Sequence, residues 1–204
     1  MNTSSLTVLT ISGSLRRDSF NKRLLSSAEE ASPDHVAFDH YDGLGDLAHF
    51  SQDIEGDLTP EPVLELRRRI AAADAVLIST PEYNGAMPGS LKNALDWASR
   101  PTGESVFREK PAAAMGASPG RFGAQRSQEA IRNVLAAMGA ELLDRELPVP
   151  RVHERFDEGD NLADEELEAE LRDLVAALIE LTGIPAPALA ESAEYSLECQ
   201  RMAA

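Results

Sequence analysis

The chain has 204 residues, enough for one ordinary domain with a full core. Its formal net charge of -16 and pI near 4.6 argue against nucleic-acid binding, which needs clustered cations to neutralise phosphates. The single cysteine, Cys199, excludes an intrachain disulfide and a Cys-x-x-Cys redox pair.

Strand and helix patterns alternate along the chain. Leu6-Thr7-Val8-Leu9-Thr10-Ile11 is apolar and β-branched and predicts a buried first strand over about residues 6–12. A helix is expected over 19–31, then a short second strand at Val36 to Phe38 and a long loop from Tyr41 to Pro62. A helix follows over Pro62 to Ala72, with Val63, Leu66 and Ile70 on one face. Ala75 to Ser79 predicts the third strand, Leu91 to Ser99 a helix, and Ala112 to Met115 the fourth strand. Ser127 to Met138 predicts a helix ending at Gly139, and Glu141 to Leu143 a short fifth strand. After acidic Asp157 to Glu166, the stripe Leu171, Leu174, Val175 and Leu178 marks a last helix over Leu167 to Leu181. This alternation implies a parallel sheet covered by helices on both faces. Residues 1–183 are taken as one domain and 184–204 as a tail, in which Pro185 and Pro187 break any helix and Ala188 to Leu197 could form a short acidic one.

Two strand ends carry loops with chemical character. After the first strand, Ser12-Gly13-Ser14 turns into a helix start whose unpaired amides and dipole suit a phosphate. Ser14, Ser19 and Asn21 add hydrogen-bond donors, and Arg16 adds a cation able to grip two phosphate oxygens. No Gly-x-x-x-x-Gly-Lys or Gly-x-Gly-x-x-Gly pattern is present, so a monophosphate anchor is favoured over a pyrophosphate one. The competing reading makes Ser14 and Ser19 simple helix caps, although a cap needs no arginine at the positive end of a helix. After the third strand, Pro81 stops the strand, and Gly85 and Gly89 permit an unusual backbone path. That loop lies where open α/β sheets bind ligands.

The run Thr80-Pro81-Glu82-Tyr83-Asn84-Gly85-Ala86-Met87-Pro88-Gly89-Ser90-Leu91-Lys92-Asn93-Ala94-Leu95-Asp96-Trp97 resembles the Pro-Glu-Tyr-Asn loop and following helix of the NAD(P)H-dependent FMN reductases. These are flavodoxin-like enzymes that include quinone, azo-dye and chromate reductases. Gly13-Ser14-Leu15-Arg16 with Ser19 and Asn21 is similar to the segment that binds the flavin phosphate in that family. A third loop, Gly116-Ala117-Ser118-Pro119-Gly120-Arg121-Phe122-Gly123-Ala124-Gln125-Arg126, resembles the family's third flavin-side loop, with Ser118 in the position that reaches the ring. The resemblance covers roughly residues 6–181.

It implies a flavodoxin-like, doubly wound sheet of five parallel strands in the order 2-1-3-4-5. It also implies bound FMN, with NADPH or NADH as donor and a small-molecule acceptor, a quinone or similar compound, reduced by ping-pong in the same space. Ser14, Arg16, Ser19 and Asn21 would anchor the phosphate, and Leu15 and Phe20 would line the pocket. The ring would lie on Pro81, Glu82, Tyr83, Asn84 and Gly85, whose amides could stabilise reduced flavin, with Glu82 orienting the loop. Tyr83 as a packing aromatic on a turn remains the alternative. The flavin carries the chemistry, so no catalytic side chain is assigned. A homodimer or homotetramer is implied, with Leu91, Leu95 and Trp97 as candidate contacts, although core packing is the more common fate of such residues, and with Lys92 and Asp96 as surface or interface charges.

The competing function is a flavodoxin-type FMN electron carrier without nicotinamide turnover; acidity suits it, but Arg16 and Arg17 in the first loop do not. His35, His40, His49 and His153 lack metal-ligand spacing, so no metal is expected. No signal peptide or membrane-spanning run is evident, so a soluble cytoplasmic protein with no membrane partner is expected.

Overall fold

A computed structural model describes residues 6–184. The elements follow in the order β1 (Leu6–Ser12), α1 (Phe20–Glu30), β2 (Val36–Tyr41), α2 (Glu61–Ala72), β3 (Ala75–Thr80), α3 (Gly89–Ala98), β4 (Pro111–Ala117), α4 (Gln125–Ala137), β5 (Glu141–Val149) and α5 (Glu165–Leu181). The five strands form one parallel sheet in the order β2-β1-β3-β4-β5, the expected doubly wound topology. The winding direction reverses between β1 and β3, which opens a crevice at their carboxyl ends.

The central strands are buried on both faces, which explains their nearly unbroken apolar sequence. Alternate residues feed two cores. Leu9, Ile11, Val76, Ile78, Ala112 and Ala114 pack under α2, α3 and α4, and Val8, Leu77, Ala113 and Met115 pack under α1 and α5. The alanine-rich β4 lets helices approach closely from either side.

Leu91, Leu95 and Trp97 follow the core alternative and are not subunit contacts: they are at most 1% exposed within the chain's own core. Trp97 donates its ring N–H to Ala48 O at 2.8 Å and meets Phe50 edge-on, with ring centroids 5.0 Å apart. Asn93 joins the same interface, accepting from Phe50 N and donating to Ala48 O. The long 42–60 connection is thereby stitched to α3. It contains three single 3-10 turns, at Gly43–Gly45, Gln52–Ile54 and Gly56–Leu58. Lys92 and Asp96 pair with each other at 2.6 Å, one turn apart on α3.

Boundaries differ from expectation where polar residues extend an element. β2 runs on to Tyr41, and β5 reaches Val149 instead of ending at Leu143. Both are edge strands, on which charges and Pro148 are tolerated because one side of the ladder is open. β5 also bulges: Ala112 pairs with Leu142, whereas Ala114 pairs with Glu146. Buried Gln128 repairs the bulge by accepting from Leu147 N at 3.1 Å, and Arg132 binds Leu143 O and Asp144.

The end of the acidic run, Asp164 to Glu166, is the start of the last helix, while Asp157 closes a separate turn by accepting from Gly159 N and Asn161 N. Asp164 caps α5 by accepting from Leu167 N at 3.0 Å, and Glu165, Glu166 and Glu168 occupy the first turn, where the helix dipole favours anions. The expected tail, with Cys199, lies outside the described residues apart from Ile184. Among the described residues, no helix is long and apolar enough to cross a membrane.

The Asp164 carboxyl titrates below its ordinary 3.8, chiefly because Leu167 N binds its charged form, with Arg155 assisting. Its stabilisation is complete above the ordinary carboxyl value and is withdrawn as pH falls through the lower folded value. Asp164→Ala is expected to cost about 1–2 kcal/mol in urea unfolding at pH 7. The difference from the parent should shrink below about pH 4, as the parent loses the same interaction.

Candidate flavin-binding cleft

Three loops converge at the carboxyl edge of the sheet. The first, after β1, is pulled against the neighbouring strand by Gly13 N donating to Ser79 O at 2.8 Å. A Cβ on Gly13 would stand 2.9 Å from Thr80 Oγ1 and 3.0 Å from Leu91, so only glycine permits this approach. Ser12 Oγ then accepts from Ser14 N at 3.3 Å and Ser14 Oγ from Arg16 N at 3.4 Å, which coils the loop before α1. Ser14 and Ser19 are buried, while the side chain of Arg16 is exposed.

Ser19 is the N-cap of α1, accepting from Asn21 N at 3.2 Å. The capping reading is therefore correct as far as it goes, but the bond uses the oxygen and leaves the hydroxyl proton to donate. The Phe20 amide has no partner among the described residues. Together these donors sit at the positive end of an eleven-residue helix, a suitable seat for an anion.

Asn21 also has a structural task. Its side-chain oxygen accepts from Ser79 Oγ at 2.9 Å and Ala117 N at 3.0 Å, and its amide donates to Ala117 O at 3.1 Å. The buried carboxamide thereby joins α1 to the ends of β3 and β4, and one of its two N–H groups is left without a partner among the described residues.

The second loop begins at Pro81. Tyr83 and Ala86 exchange backbone hydrogen bonds at 3.0 and 3.1 Å around Asn84 (φ 54°) and Gly85 (φ 79°). Both central residues have positive φ, the geometry of a two-residue primed turn and the reason for Asn-Gly there. The turn uses the amides of Tyr83 and Ala86 and leaves those of Asn84 and Gly85 without partners among the described residues. Its base is fixed to the start of α4. Ser127 Oγ donates to Pro81 O at 2.9 Å, and Glu82 Oε2 accepts from Arg126 N at 3.1 Å. Glu82 is thus an orienting residue.

The third loop, 118–124, is held to the chain beyond β5: Ser118 N donates to Val149 O, Arg151 N to Gly120 O, and Val152 N to Ser118 O. Ala124 adopts a left-handed backbone (φ 59°) just before α4. Such a conformation is costly without glycine and is here held in place by the packed loop ends.

Between the loops lies an open cleft with a volume of about 100 Å³, lined by Ser14, Arg16, Ser19, Phe20, Asn21, Pro81, Glu82, Tyr83 and Ser118. Nine of the expected residues are thus brought together from three separated segments. Leu15 is not among them: at 58% exposed it turns toward Gly45, on the β2 side of the first loop. Asn84 and Gly85 form the turn at the cleft's margin rather than its lining. Ala117, Pro119 and Val152 complete the wall. Val152 had no local signal, because its role depends on the crossing of loops 118–124 and 149–152.

Residues 6–154 match the family described as NADPH-dependent FMN reductase. The chain is 42% identical over 163 residues to a 2-hydroxy-1,4-benzoquinone reductase from a Burkholderia species, covering 79% of this chain and 88% of that protein. It is 39% identical over 172 residues to an NAD(P)H-dependent FMN reductase of Pseudomonas aeruginosa, covering 84% and 92%. Among solved structures it resembles FerB, a flavoenzyme NAD(P)H:(acceptor) oxidoreductase from Paracoccus denitrificans. There the TM-score is 0.77 at 36% identity, over 87% of this chain and 97% of that one.

Because Glu82 joins the turn to α4, Glu82→Ala removes the acceptor for Arg126 N and loosens both. The expected cost is about 1 kcal/mol. Hydrogen exchange should quicken at Tyr83 and Ala86 with little change in the core strands; unchanged exchange there would contradict the anchoring role.

Proposed function

The chain belongs to the NADPH-dependent FMN reductase family, and from that membership we propose that it is an FMN-containing oxidoreductase that takes electrons from NADPH or NADH and reduces quinones or similar small acceptors two electrons at a time. The observation that carries the reading is the convergence of both sequence motifs on one cleft at the β1/β3 switch point.

The residues present fit a phosphate-bearing aromatic cofactor. Ser14 and Ser19 are buried hydroxyls with protons left to donate, Phe20 N is free, and the Arg16 guanidinium has no ion-pair or hydrogen-bond partner among the described residues. In this reading they hold the flavin phosphate, and a bidentate arginine contact adds roughly 1.5–3 kcal/mol. Bound FMN would supply the redox chemistry, accepting hydride from NAD(P)H and passing two electrons to the acceptor.

The chain's own contribution is placement and polarity. Pro81, Glu82, Tyr83, Asn84 and Gly85 form the surface proposed for the ring, with Ser118 on the opposite loop. The free amides of Asn84 and Gly85 favour negative charge nearby, and the rigid primed turn pays no reorganisation cost when that charge develops. Tyr83, 49% exposed, is open to a flat substrate rather than packed into the core. Asn21, in this reading, positions the phosphate loop.

A homodimer or homotetramer is the proposed assembly, supported by the exposed apolar side chains of Tyr83 and Phe122 near the cleft. The proposed location is the cytoplasm, where the nicotinamide donors are found. Light scattering should give a mass two or four times the 22.0 kDa chain; a monomer at micromolar concentration would reject the assembly.

The functional test is an absorbance spectrum of the FMN-reconstituted protein, followed anaerobically on adding NADPH and then NADH. Rapid bleaching with turnover of a quinone is expected. Flavin that binds but is reduced by neither nucleotide would indicate an electron carrier. Arg16→Ala should weaken FMN binding by roughly 10- to 100-fold, measured by quenching of flavin fluorescence.

A further inference from the structure

Carboxylates greatly outnumber cations in this chain, 35 against 19. Most lysines and arginines accordingly stand in ion pairs, including Arg23 with Asp160, Arg69 with Asp39, Arg132 with Asp144 and Arg155 with Asp164. Five guanidiniums do not: those of Arg16, Arg17, Arg67, Arg121 and Arg126 have no ion-pair or hydrogen-bond partner among the described residues. Four of the five belong to the two segments flanking the cleft, residues 13–18 on one side and 118–126 on the other, and Arg67 lies apart on α2. The other described cations without a carboxylate, Arg108 and Lys110, bind main-chain carbonyls, Arg108 that of Gly103 and Lys110 those of Ala71 and Ala73.

Of the two arginines in the 118–126 segment, Arg126 sits against the second loop. Its Nη1 lies 3.4 Å from where a Cβ on Gly85 would stand, so the charge sits against the Asn84–Gly85 turn. Its backbone N–H is fixed by Glu82, which orients the residue without neutralising its guanidinium by a direct pair. Arg121 lies over the ring of Phe122, 4.5 Å from the centroid, and Phe122 is 54% exposed. This arginine is held by an aromatic face, leaving its N–H groups directed to other acceptors.

We infer that Arg121 and Arg126 form a cationic rim that selects substrates by charge, favouring those with an anionic group outside the ring that stacks on the flavin. The inference rests on the proposed reductase reading and names the substrate class of that site. The chemistry has two possible sources, the 2'-phosphate of NADPH and a sulfonate or carboxylate on the acceptor, because donor and acceptor use the same space in turn. A local cationic mouth on a protein of charge -16 also acts against the repulsion an anion meets elsewhere on the surface. Arg16 is committed to the flavin phosphate in this reading, which leaves Arg121 and Arg126 as the pair on the substrate side.

The test compares the FMN-loaded full chain with the Arg121→Gln/Arg126→Gln double variant and each single variant. Values of kcat/KM are measured for NADPH and NADH with one acceptor, and for 1,4-naphthoquinone and its 2-sulfonate with one donor. At least one ratio, NADPH to NADH or sulfonated to neutral quinone, should fall about tenfold in the double variant. The same ratio should fall in the parent as ionic strength rises from about 10 to 150 mM, an arm that needs no substitution. A change in the nucleotide ratio alone assigns the rim to the donor phosphate, and a change in the quinone ratio alone assigns it to the acceptor. Both ratios unchanged by salt and by substitution would overturn the inference while leaving the reductase reading intact. A parent that neither nucleotide reduces would instead overturn that reading, and this inference with it.

Discussion

The cleft depends on one buried carboxamide. Asn21, in the first turn of α1, reaches across the sheet edge to Ser79 at the end of β3 and to both backbone groups of Ala117 at the end of β4. Each of these three bonds is worth roughly 1 kcal/mol when made, and the buried groups would cost more if left unpaired. Their positional effect matters as much as their energy. They fix the amino terminus of α1 relative to the strands from which the second and third loops emerge. A helix terminus can present donors to a phosphate only if it is held at a set distance from the surface proposed for the attached ring.

A second tier of contacts fixes the turn that follows β3. Ser127 and the Arg126 amide, both at the start of α4, bind Pro81 O and the Glu82 carboxylate. Positive φ at Asn84 and Gly85 turns their amides away from the internal pairing of the hairpin. The outcome is a rigid loop with unspent donors, which helix packing alone would not create. Rigidity here has an electrostatic consequence, since preoriented amides stabilise developing charge without moving. The same α4 start carries Arg126, so the residue that steadies the turn through its backbone also brings a cation to it.

Much of this architecture was legible in the residues. The apolar β-branched runs of β1 and β3 could only be buried strands, and the Leu171, Leu174, Val175 and Leu178 stripe could only be a helix face packed on something. Pro81 and the glycines marked the loops. The elements that were misjudged share a cause. Residues 144–149 carry three charges and a proline, so the sequence marks no strand there, yet an edge position and a Gln128-repaired bulge accommodate them. The end of the acidic run, placed ahead of the last helix by the sequence, is an N-cap and a first turn suited to the helix dipole. The tight turn at Asn84–Gly85 had a readable signal in its Asn-Gly pair, and its apolar flanks were too short to mark a hairpin.

Local sequence determined the number and order of strands and helices, the loops with free amides, and the residue types able to hold a phosphate, because periodicity, turn chemistry and capping act over only a few neighbouring residues. Tertiary structure alone decided how the candidate residues were divided. Leu15 turned to the β2 side, Asn21 became an internal brace, Leu91, Leu95 and Trp97 went into the core, and Val152 joined the cleft. Those outcomes depend on hydrogen bonds and packing between segments far apart in the chain, as in the bond from Asn21 to Ala117. Which side chain faces a cleft is settled when such segments close against one another, and no short window of sequence contains both halves of that contact.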